Sequence, residues 1–321
     1  MSDAKKQPLL AIVGPTASGK SRLAVELARA RGGEILSCDS MQVYREMNIG
    51  TAKPTVEEMG GIPHHLLDFV DPRTPFSCAD YVEAAEQAIA DCRARGVTPI
   101  LCGGTGLYLD RLLCGGCEEE SEPNEKLREE LRRFAAQNGN RALHERLRSV
   151  DPESADAIHE NNVHRVIRAL EIFEITGIPK SEWDKRSKAL GSRYAARVIG
   201  LCYTDRELLY GRINARVDDM LAHGLLEETE HLMRNGVFEA NATAAQAIGY
   251  KELLAHLRGE ETLPEAVERL KMATRRYAKR QMTWFSAKSY VRWIELDRNG
   301  TRRPSDELLE EALRIASENG D

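Results

Sequence analysis

A glycine-rich loop near the amino terminus carries the clearest chemistry in the sequence. It reads Gly14-Pro15-Thr16-Ala17-Ser18-Gly19-Lys20-Ser21 and fits the pattern G-x-x-x-x-G-K-[ST], between an apolar run and a helical pattern. Such a loop points its amides and the helix N-terminus at an anion, while Lys20 supplies a charge and Ser21 can hold Mg²⁺. We therefore predict a diphosphate or triphosphate site, and the loop alone leaves open whether the phosphates belong to a nucleotide.

Asp39 is an acidic residue that follows the second predicted strand, and it has two interpretations. It begins the segment Asp39-Ser40-Met41-Gln42-Val43-Tyr44-Arg45, which is rich in groups that hydrogen-bond or stack. A carboxylate beside a phosphate site can serve as a general base. In an ordinary NTPase or kinase, an acid at this position holds the metal ion instead.

The elements around these residues predict an α/β fold, with a parallel sheet core like that of the P-loop NTPases and helices on both faces. Strands are predicted at residues 9–13, 34–38, 97–102, 197–202 and 291–296, and the first helices at 22–31 and 81–95. Ligands of such sheets bind at the carboxyl ends of the strands. The loops at 14–21, 39–42 and 103–106 should therefore meet in one crevice.

The middle of the chain differs in composition from both ends. From Pro123 to about Leu190 the sequence is charged and helical and has no strand candidate. We expect an all-helical insertion domain at residues 122–193. The catalytic core would then comprise residues 1–121 and 194–321.

Two capping boxes predict helix starts in the second part of this core, one at Thr204–Glu207 and one at Thr262–Glu265. The second starts a long helix in which residues 269–292 contain eight Lys or Arg and no acid, although the formal net charge of the chain is −6. Helical spacing separates apolar side chains from the cations Lys271, Arg275 and Lys279. We expect one face to dock and the other to contact phosphates, with a strong dependence on salt; the alternative is a solvated face.

Composition excludes several other classes of protein. The 321 residues, 42% of them hydrophobic, can bury a core, and no apolar run is long enough to cross a membrane. No export signal is visible, and seven cysteines, an odd number, predict reduced thiols. Cys114-Gly115-Gly116-Cys117 is expected to be a connector, and His64-His65 to be structural and not to bind a metal.

Seven sequence blocks resemble one family, the bacterial tRNA dimethylallyltransferases, also called tRNA isopentenyltransferases. In order they are GPTASGKS (14–21), DSMQVYR (39–45), GTAKPT (50–55), GIPHHLLD (61–68), GGTGLY (103–108), IGYKE (248–252) and AKRQMTWF (278–285). The combination of the first, second and fifth blocks is far more specific than the phosphate loop alone.

The resemblance implies that the loop grips the diphosphate of dimethylallyl diphosphate and not ATP. The enzyme would transfer the dimethylallyl group to N6 of adenosine 37, 3′ of the anticodon, in tRNA. Asp39 would be the general base, Thr105 would contact the diphosphate or the reacting centre, and Arg216 would hold the leaving diphosphate. Mg²⁺ at Ser21 is the expected cofactor, and the protein is expected to be a cytoplasmic monomer.

The resemblance also implies contacts to the anticodon stem-loop of tRNA. The residues expected to make them are Ser40, Met41, Gln42, His164, Arg165, Arg168, Arg276, Lys279, Arg280 and Gln281. Arg212 shares a predicted helix face with Arg216. We expect salt bridges for Arg212 and a diphosphate contact for Arg216 only.

Two other classes of enzyme remain open at this point. One is a small-molecule kinase or NTPase in which Asp39 binds the metal. The other is a prenyltransferase for free adenine nucleotides, which would need neither the helical insertion nor the basic helix.

Overall fold

The computed structural model describes residues 6–114 and 124–318. The strands are β1 (Gln7–Val13), β2 (Gly33–Ser37), β3 (His64–His65), β4 (Thr98–Gly103), β5 (Tyr194–Cys202), β6 (Val291–Glu295), β7 (Asp297–Arg298) and β8 (Thr301–Arg302). The helices are α1 (Lys20–Arg31), α2 (Val56–Met59), α3 (Cys78–Ala94), α4 (Gly106–Cys114), α5 (Glu125–Asn138), α6 (Asn140–Val150), α7 (Pro152–Ala157), α8 (Val163–Thr176), α9 (Lys180–Leu190), α10 (Arg206–Ala222), α11 (Leu225–Arg234), α12 (Val237–Ala240), α13 (Ala242–Ala245), α14 (Tyr250–Leu257), α15 (Leu263–Ser286) and α16 (Ser305–Ser317).

Six strands form one parallel sheet in the order β3-β2-β4-β1-β5-β6. The central strand β1 aligns Leu10 with Ile100 of β4 and with Arg197 of β5. All five predicted strands are present, and the α/β prediction is confirmed. The sequence did not predict β3, a two-residue strand at the edge of the sheet, or the short antiparallel hairpin β7–β8.

Helices cover both faces of the sheet because side chains of β1 alternate between them. Leu10 and Ile12 pack into the core formed with α1 and α16. Leu9, Ala11 and Val13 pack into the opposite core, formed with α3 and α4. A third apolar cluster joins helices α10–α15 to the segment that follows Asp39, and it includes Val43, Tyr44, Met47, Leu225, Tyr250 and Leu270.

The chain divides into two compact units, one comprising Met1–Leu113 and Tyr194–Asp321, the other Cys114–Arg193. The described part of the second unit consists of helices α5–α9 around an apolar core of its own, which includes Leu131, Leu143, Val166 and Leu170. In that unit Glu171 is fully buried and pairs with Arg128 and Arg168. The sequence predicts the insertion at residues 122–193, which ends at the same residue as this unit and begins eight residues later.

One predicted helix start is wrong in its chemistry. The cap of α10 is Asp205, whose side chain accepts the Glu207 N–H, and not Thr204. The Thr204 hydroxyl instead donates to Asp297 Oδ2 at 2.6 Å, and its N–H donates to Asp297 Oδ1. A distant carboxylate has therefore replaced the local capping box.

Helix α15 follows the sequence prediction more closely. It begins after Thr262, and the Glu265 carboxylate accepts the Thr262 N–H at 2.9 Å. No helix in the described ranges is both long enough and apolar enough to span a bilayer. Among the described cysteines none forms a disulfide. The CGGC segment, apart from the backbone of Cys114, lies outside the described residues.

Candidate active site

The three predicted loops lie together at the carboxyl edge of the sheet, because β2, β4 and β1 are neighbours. The Thr105 N–H donates to the Cys38 carbonyl at 3.1 Å, and the Ser40 N–H donates to Thr105 Oγ1 at 3.0 Å. A Cβ at Gly103 would overlap the Cys38 carbonyl, so this close approach requires glycine. The structure thus forms the crevice that the sequence predicts.

The phosphate loop keeps several donors available for a ligand. Helix α1 begins at Lys20, so the amides of its first turn have no intrahelical partner. Lys20 Nζ donates to the Pro15 carbonyl at 2.8 Å, and burial lowers the pKa of Lys20 to about 8. The Ser18 hydroxyl is fully buried and has no hydrogen-bond partner among the described residues. A buried cation and an unused hydroxyl donor suit an incoming anion.

Asp39 is oriented by the backbone that follows it. Its Oδ1 accepts the Met41 N–H at 2.9 Å and the Gln42 N–H at 3.4 Å, whereas Oδ2 has no hydrogen-bond partner in the described ranges. Burial raises the pKa of Asp39, and the two backbone bonds, Lys20 and Arg216 act in the opposite sense. A carboxylate with one unused oxygen and a raised pKa is suited to accept a proton.

Two arginines of α10 approach the loop in different ways. Arg216 is half-buried, burial lowers its pKa, and within the described chain it has no hydrogen bond or ion pair. Arg212 donates its Nε–H to the Ala17 carbonyl at 3.0 Å, so it supports the loop itself. The salt bridges expected for Arg212 are wrong. Its spacing from Arg216 was visible in the sequence, but its partner was not.

Tyr277 and Trp284, two aromatic residues of α15, lie at the crevice. Helical spacing had placed both on the apolar face of this helix, which the sequence predicts only to dock. Burial raises the pKa of Tyr277, as does nearby Asp39, while a hydrogen bond with Thr105 lowers it. Trp284 lies against Gly106, where any Cβ would overlap the indole ring. The indole N–H is buried and has no hydrogen-bond partner in the described chain.

Two glutamines have structural partners that differ from the expected tRNA contacts. Gln281 is 5% exposed; its Oε1 accepts the Thr16 N–H at 2.8 Å and its Nε2 donates to the Gly104 carbonyl at 3.1 Å. Gln42 Nε2 donates to the carbonyls of Thr51 and Ala52, and its Oε1 accepts the Ser37 hydroxyl. Because both ends of each carboxamide are engaged within the protein, neither side chain is available to read RNA without losing these bonds.

The cations of α15 divide into two groups. Lys271 pairs with Asp218 at 2.7 Å, and Arg275 donates to Asn214 at 2.6 Å, so both face α10 and not the solvent. This corrects the basic face expected from helical spacing. Arg276, Lys279 and Arg280 are exposed and have no acidic partner among the described residues.

The three residues predicted to contact tRNA in the insertion also differ from one another. His164 and Arg165 are exposed in the first turn of α8. Arg168 donates to the fully buried Glu171 at 2.6 Å, so its charge is used inside the unit. The contact expected for Arg168 therefore conflicts with a structural ion pair.

His65 takes part in a polar cluster that the sequence did not reveal. Its Nε2 lies 2.6 Å from Glu34 Oε2, and Cys92 Sγ approaches the same oxygen at 3.6 Å. Arg95 donates to both Glu34 oxygens, at 2.7 and 2.6 Å. A guanidinium held this way repels a metal ion, which favours the structural role expected for the histidines.

Fold and site together define a class of protein. A parallel α/β sheet carries a phosphate-binding loop, and a carboxylate with an unused oxygen follows the neighbouring strand. This combination is typical of an enzyme that transfers a group from or to a phosphorylated substrate.

Comparisons with known proteins identify the family. The sequence model described as IPP transferase matches residues 42–288, and the one described as isopentenyl transferase matches residues 7–72. The chain therefore belongs to the IPP transferase family. It is 48% identical over 290 residues to a tRNA dimethylallyltransferase from a Thermoanaerobacter species, covering 90% of this chain and 92% of that protein. To tRNA dimethylallyltransferase 1 of Pelobacter propionicus it is 51% identical, over 89% and 92% of the two chains.

Solved structures agree with this placement. The full-length tRNA isopentenylpyrophosphate transferase from Bacillus halodurans is 43% identical, with a TM-score of 0.70 and 97% of each chain covered. A eukaryotic dimethylallyltransferase acting on tRNA is 31% identical, with a TM-score of 0.75, covering 90% of this chain and 74% of that one.

Proposed function

We propose that the protein is a tRNA dimethylallyltransferase, which transfers the dimethylallyl group of dimethylallyl diphosphate to N6 of adenosine 37 in tRNA. The products are diphosphate and N6-dimethylallyladenosine. The observation that carries this proposal is the position of Asp39, with Oδ2 unused, at the edge of a loop built to bind phosphate. In a kinase the same acid would hold the metal ion, and the transfer assay described below separates the two functions.

Asp39 supplies what the nucleophile lacks. The exocyclic amine of adenine is weakly nucleophilic because its lone pair is delocalised into the ring. As the bond from N6 to the allylic carbon forms and the bond from that carbon to the diphosphate oxygen breaks, Asp39 Oδ2 accepts the amine proton. The raised pKa of Asp39 makes it a stronger base than an ordinary carboxylate.

The leaving diphosphate takes the electron pair of the broken bond, and the loop stabilises that charge. The amides at the start of α1, the Lys20 ammonium and the Arg216 guanidinium would provide positive charge in a half-buried site. Thr105, whose Oγ1 accepts the Ser40 N–H, would contact the diphosphate or the reacting centre. Val13 and Cys38 of one apolar cluster, and Val43 and Tyr44 of another, are close in sequence to the crevice loops, and apolar surroundings would protect an allylic centre with cationic character from hydrolysis.

Magnesium fits this site as a companion of the diphosphate. The Ser21 hydroxyl is exposed in the first turn of α1 and is the side chain that would hold the ion. Among the described residues no cluster of three acidic, histidine or cysteine ligands lies at the loop. This agrees with the preference of Mg²⁺ for phosphate oxygens and water over an all-protein cage. The ion would add positive charge beside the leaving group.

Exposed cations supply the contacts to the tRNA anticodon stem-loop in this proposal. Ser40 and Met41 are half-buried beside Asp39 and would line the pocket of the extruded base. On α15, Arg276, Lys279 and Arg280 would bind phosphates. Lys279 also borders a groove of about 650 Å³ between α10 and α15, and the other lining residues include Tyr203, Arg206 and Tyr210. Cations interleaved with tyrosines suit single-stranded RNA.

The helical unit has a supporting role in the same proposal. His164 and Arg165 present a basic, exposed helix start that can meet an RNA phosphate. We assign residues 122–193 to tRNA contact, and residues 1–121 and 194–321 to the reaction itself.

A three-way transfer assay tests this function against its alternatives. Labelled dimethylallyl diphosphate is offered with unmodified tRNA or with AMP, and ATP turnover is measured in parallel. Label in the tRNA, located at the adenosine 3′ of the anticodon by nucleoside mass spectrometry, is the expected result. Label in AMP would point to a nucleotide prenyltransferase, and ATP turnover without transfer would point to a kinase or NTPase.

A further inference from the structure

Gln281 occupies a place at the phosphate loop that its sequence position does not suggest. It lies in the sixth turn of α15, yet its side-chain carbonyl accepts the Thr16 N–H of the loop at 2.8 Å. Its amide group donates to the Gly104 carbonyl, which follows β4, at 3.1 Å. The carboxamide therefore joins the phosphate loop to the neighbouring loop.

The fit of this carboxamide is tight. Any Cβ at Gly104 would overlap Gln281 Nε2, so a glycine is required for the side chain to enter. Gln281 is 5% exposed. Displacing it would leave buried polar groups without partners, which is costly. The contact is thus a fixed part of the loop.

A count of amide donors shows the consequence for ligands. In the first arm of the loop, Pro15 has no N–H, the Thr16 N–H is bound to Gln281, and the Ser18 N–H donates to the Pro15 carbonyl at 3.3 Å. The remaining donors are the amides of Ala17 and Gly19 and those of the first turn of α1, together with Lys20. They can surround two phosphoryl groups. A third group placed beside Thr16 would meet the partial negative charge of the Gln281 carbonyl instead of a donor.

We propose that Gln281 determines the specificity of the loop for a diphosphate, because its carbonyl covers the Thr16 amide that a nucleoside triphosphate would need. This inference rests on the proposed function, since it explains how a loop of the NTPase type selects dimethylallyl diphosphate. It also gives Gln281 a role distinct from binding tRNA.

Displacement of labelled dimethylallyl diphosphate by inorganic pyrophosphate and by tripolyphosphate tests the proposal on the full chain. In the wild type, tripolyphosphate should bind no more tightly than pyrophosphate. In Gln281→Ala the freed Thr16 N–H should raise the affinity for tripolyphosphate relative to pyrophosphate by about tenfold, as expected for one hydrogen bond to a charged group. Thr283→Ala, an exposed change on the same helix, is the matched control and should leave the ratio unchanged.

Gln281→Asn is the second variant, since it keeps the amide but withdraws it by one methylene and disturbs folding less. It should change the ratio in the same direction. An unchanged ratio in a variant that is folded and still binds pyrophosphate would overturn the proposal. Failure of the proposed function is distinguishable, because it would appear as absent transfer to tRNA in the wild type.

Discussion

One carboxylate lies near the start of β2 and another just after its end, and the fold shifts their pKa values in opposite directions. Glu34, near the start, is 8% exposed and receives hydrogen bonds from Arg95 and His65, which lower its pKa to about 2. Asp39, just after the end, is raised in pKa by burial and keeps one oxygen without a partner among the described residues. Similar side chains at the two ends of one strand thus yield a structural ion pair and a carboxylate with an oxygen available for the proposed reaction.

The contrast shows how a charge left over by folding marks a ligand site. A buried carboxylate can have hydrogen-bond partners on both oxygens, as Glu34 does. Because Asp39 has them on Oδ1 only, its free Oδ2 marks a candidate site for a ligand. The same distinction separates Arg216 from Arg212, and the exposed cations of α15 from Lys271. Asp39 Oδ2, Arg216 and the exposed cations of α15 have no charged partner among the described residues, and in the proposed function the substrates supply it.

The largest effect is expected at Asp39. Asp39→Asn removes the base but preserves shape and both backbone acceptor bonds at Oδ1, so dimethylallyl transfer should fall by about 10²–10⁴-fold. The melting temperature and the affinity for tRNA should change little. Single-turnover transfer and tRNA binding by filter retention measure the two quantities. Intact turnover with lost tRNA binding would show that Asp39 is a binding residue.

For Glu34, at the other end of β2, we expect a substitution to reduce stability and not the rate of transfer. Glu34→Gln removes the charge of a side chain that is only 10% exposed, whereas Arg95 is 42% exposed and keeps Asp91 as a partner, so the free energy of unfolding should fall by about 1–2 kcal/mol. The rate of transfer per folded molecule should stay the same. Urea unfolding at neutral pH gives the stability, and activity below the transition gives the rate.

The pH dependence of that loss provides its control. Because the folded pKa of Glu34 lies near 2, below its ordinary value of 4.5, the stabilisation is complete above about pH 4.5 and disappears as the pH falls towards 2. The stability difference between wild type and variant should shrink over that range. A difference that is constant with pH would mean that packing, and not the ion pair, is responsible.

Lys20 is the cationic counterpart of Asp39, and we expect it to make the binding of diphosphate depend on pH. Lys20 has a pKa of about 8 and gains an anionic partner when the diphosphate binds, so binding near or above pH 8 takes up a proton. The affinity for dimethylallyl diphosphate should be constant below about pH 8 and fall by up to tenfold per unit above it. Isothermal titration in two buffers of different ionisation enthalpy measures the proton uptake. Lys20→Arg should bind without this slope, since its guanidinium stays charged.

The smallest effect concerns the exposed cations. Replacing Lys279 and Arg280 by Ala should weaken tRNA binding by about tenfold and reduce its salt dependence, because each lost phosphate contact lowers the logarithmic slope by about 0.7–0.9. The control removes equal charge from the α1–α16 layer, in Arg31→Ala with Arg314→Ala. If both double variants bind alike, the basic stretch of α15 is only a solvated face.

Local sequence patterns predicted several elements of the fold and the phosphate loop. They failed where a residue distant in sequence supplied the hydrogen-bond or ion-pair partner. The phosphate loop, five strands and the Thr262 helix start were readable because each depends on neighbours in sequence. The Thr204 cap failed because Asp297, 93 residues away, captured the hydroxyl. Lys271 and Arg275 fitted a basic face by periodicity, yet Asp218 and Asn214 of α10 turned them inward.

The segment after Asp39 illustrates the same limit within the site. Its chemistry was visible in the sequence, but its shape depends on a distant carboxylate. Glu228 of α11 accepts the N–H groups of Asn48, Ile49 and Gly50 together with the Tyr250 hydroxyl, at 2.7–3.0 Å. No residue spacing announces such an arrangement, since the donors belong to the backbone.

Sequence alone predicted a phosphate site at residues 14–21 and an acid beside it, and it determined which family the chain resembles. Those features arise from side-chain identity and from contacts a few residues apart. Tertiary structure decided which charges are satisfied: Glu34 by Arg95, Arg212 by the loop, and Asp39 incompletely. Burial and long-range partners set the pKa and the availability of each group, and both depend on what folding brings near.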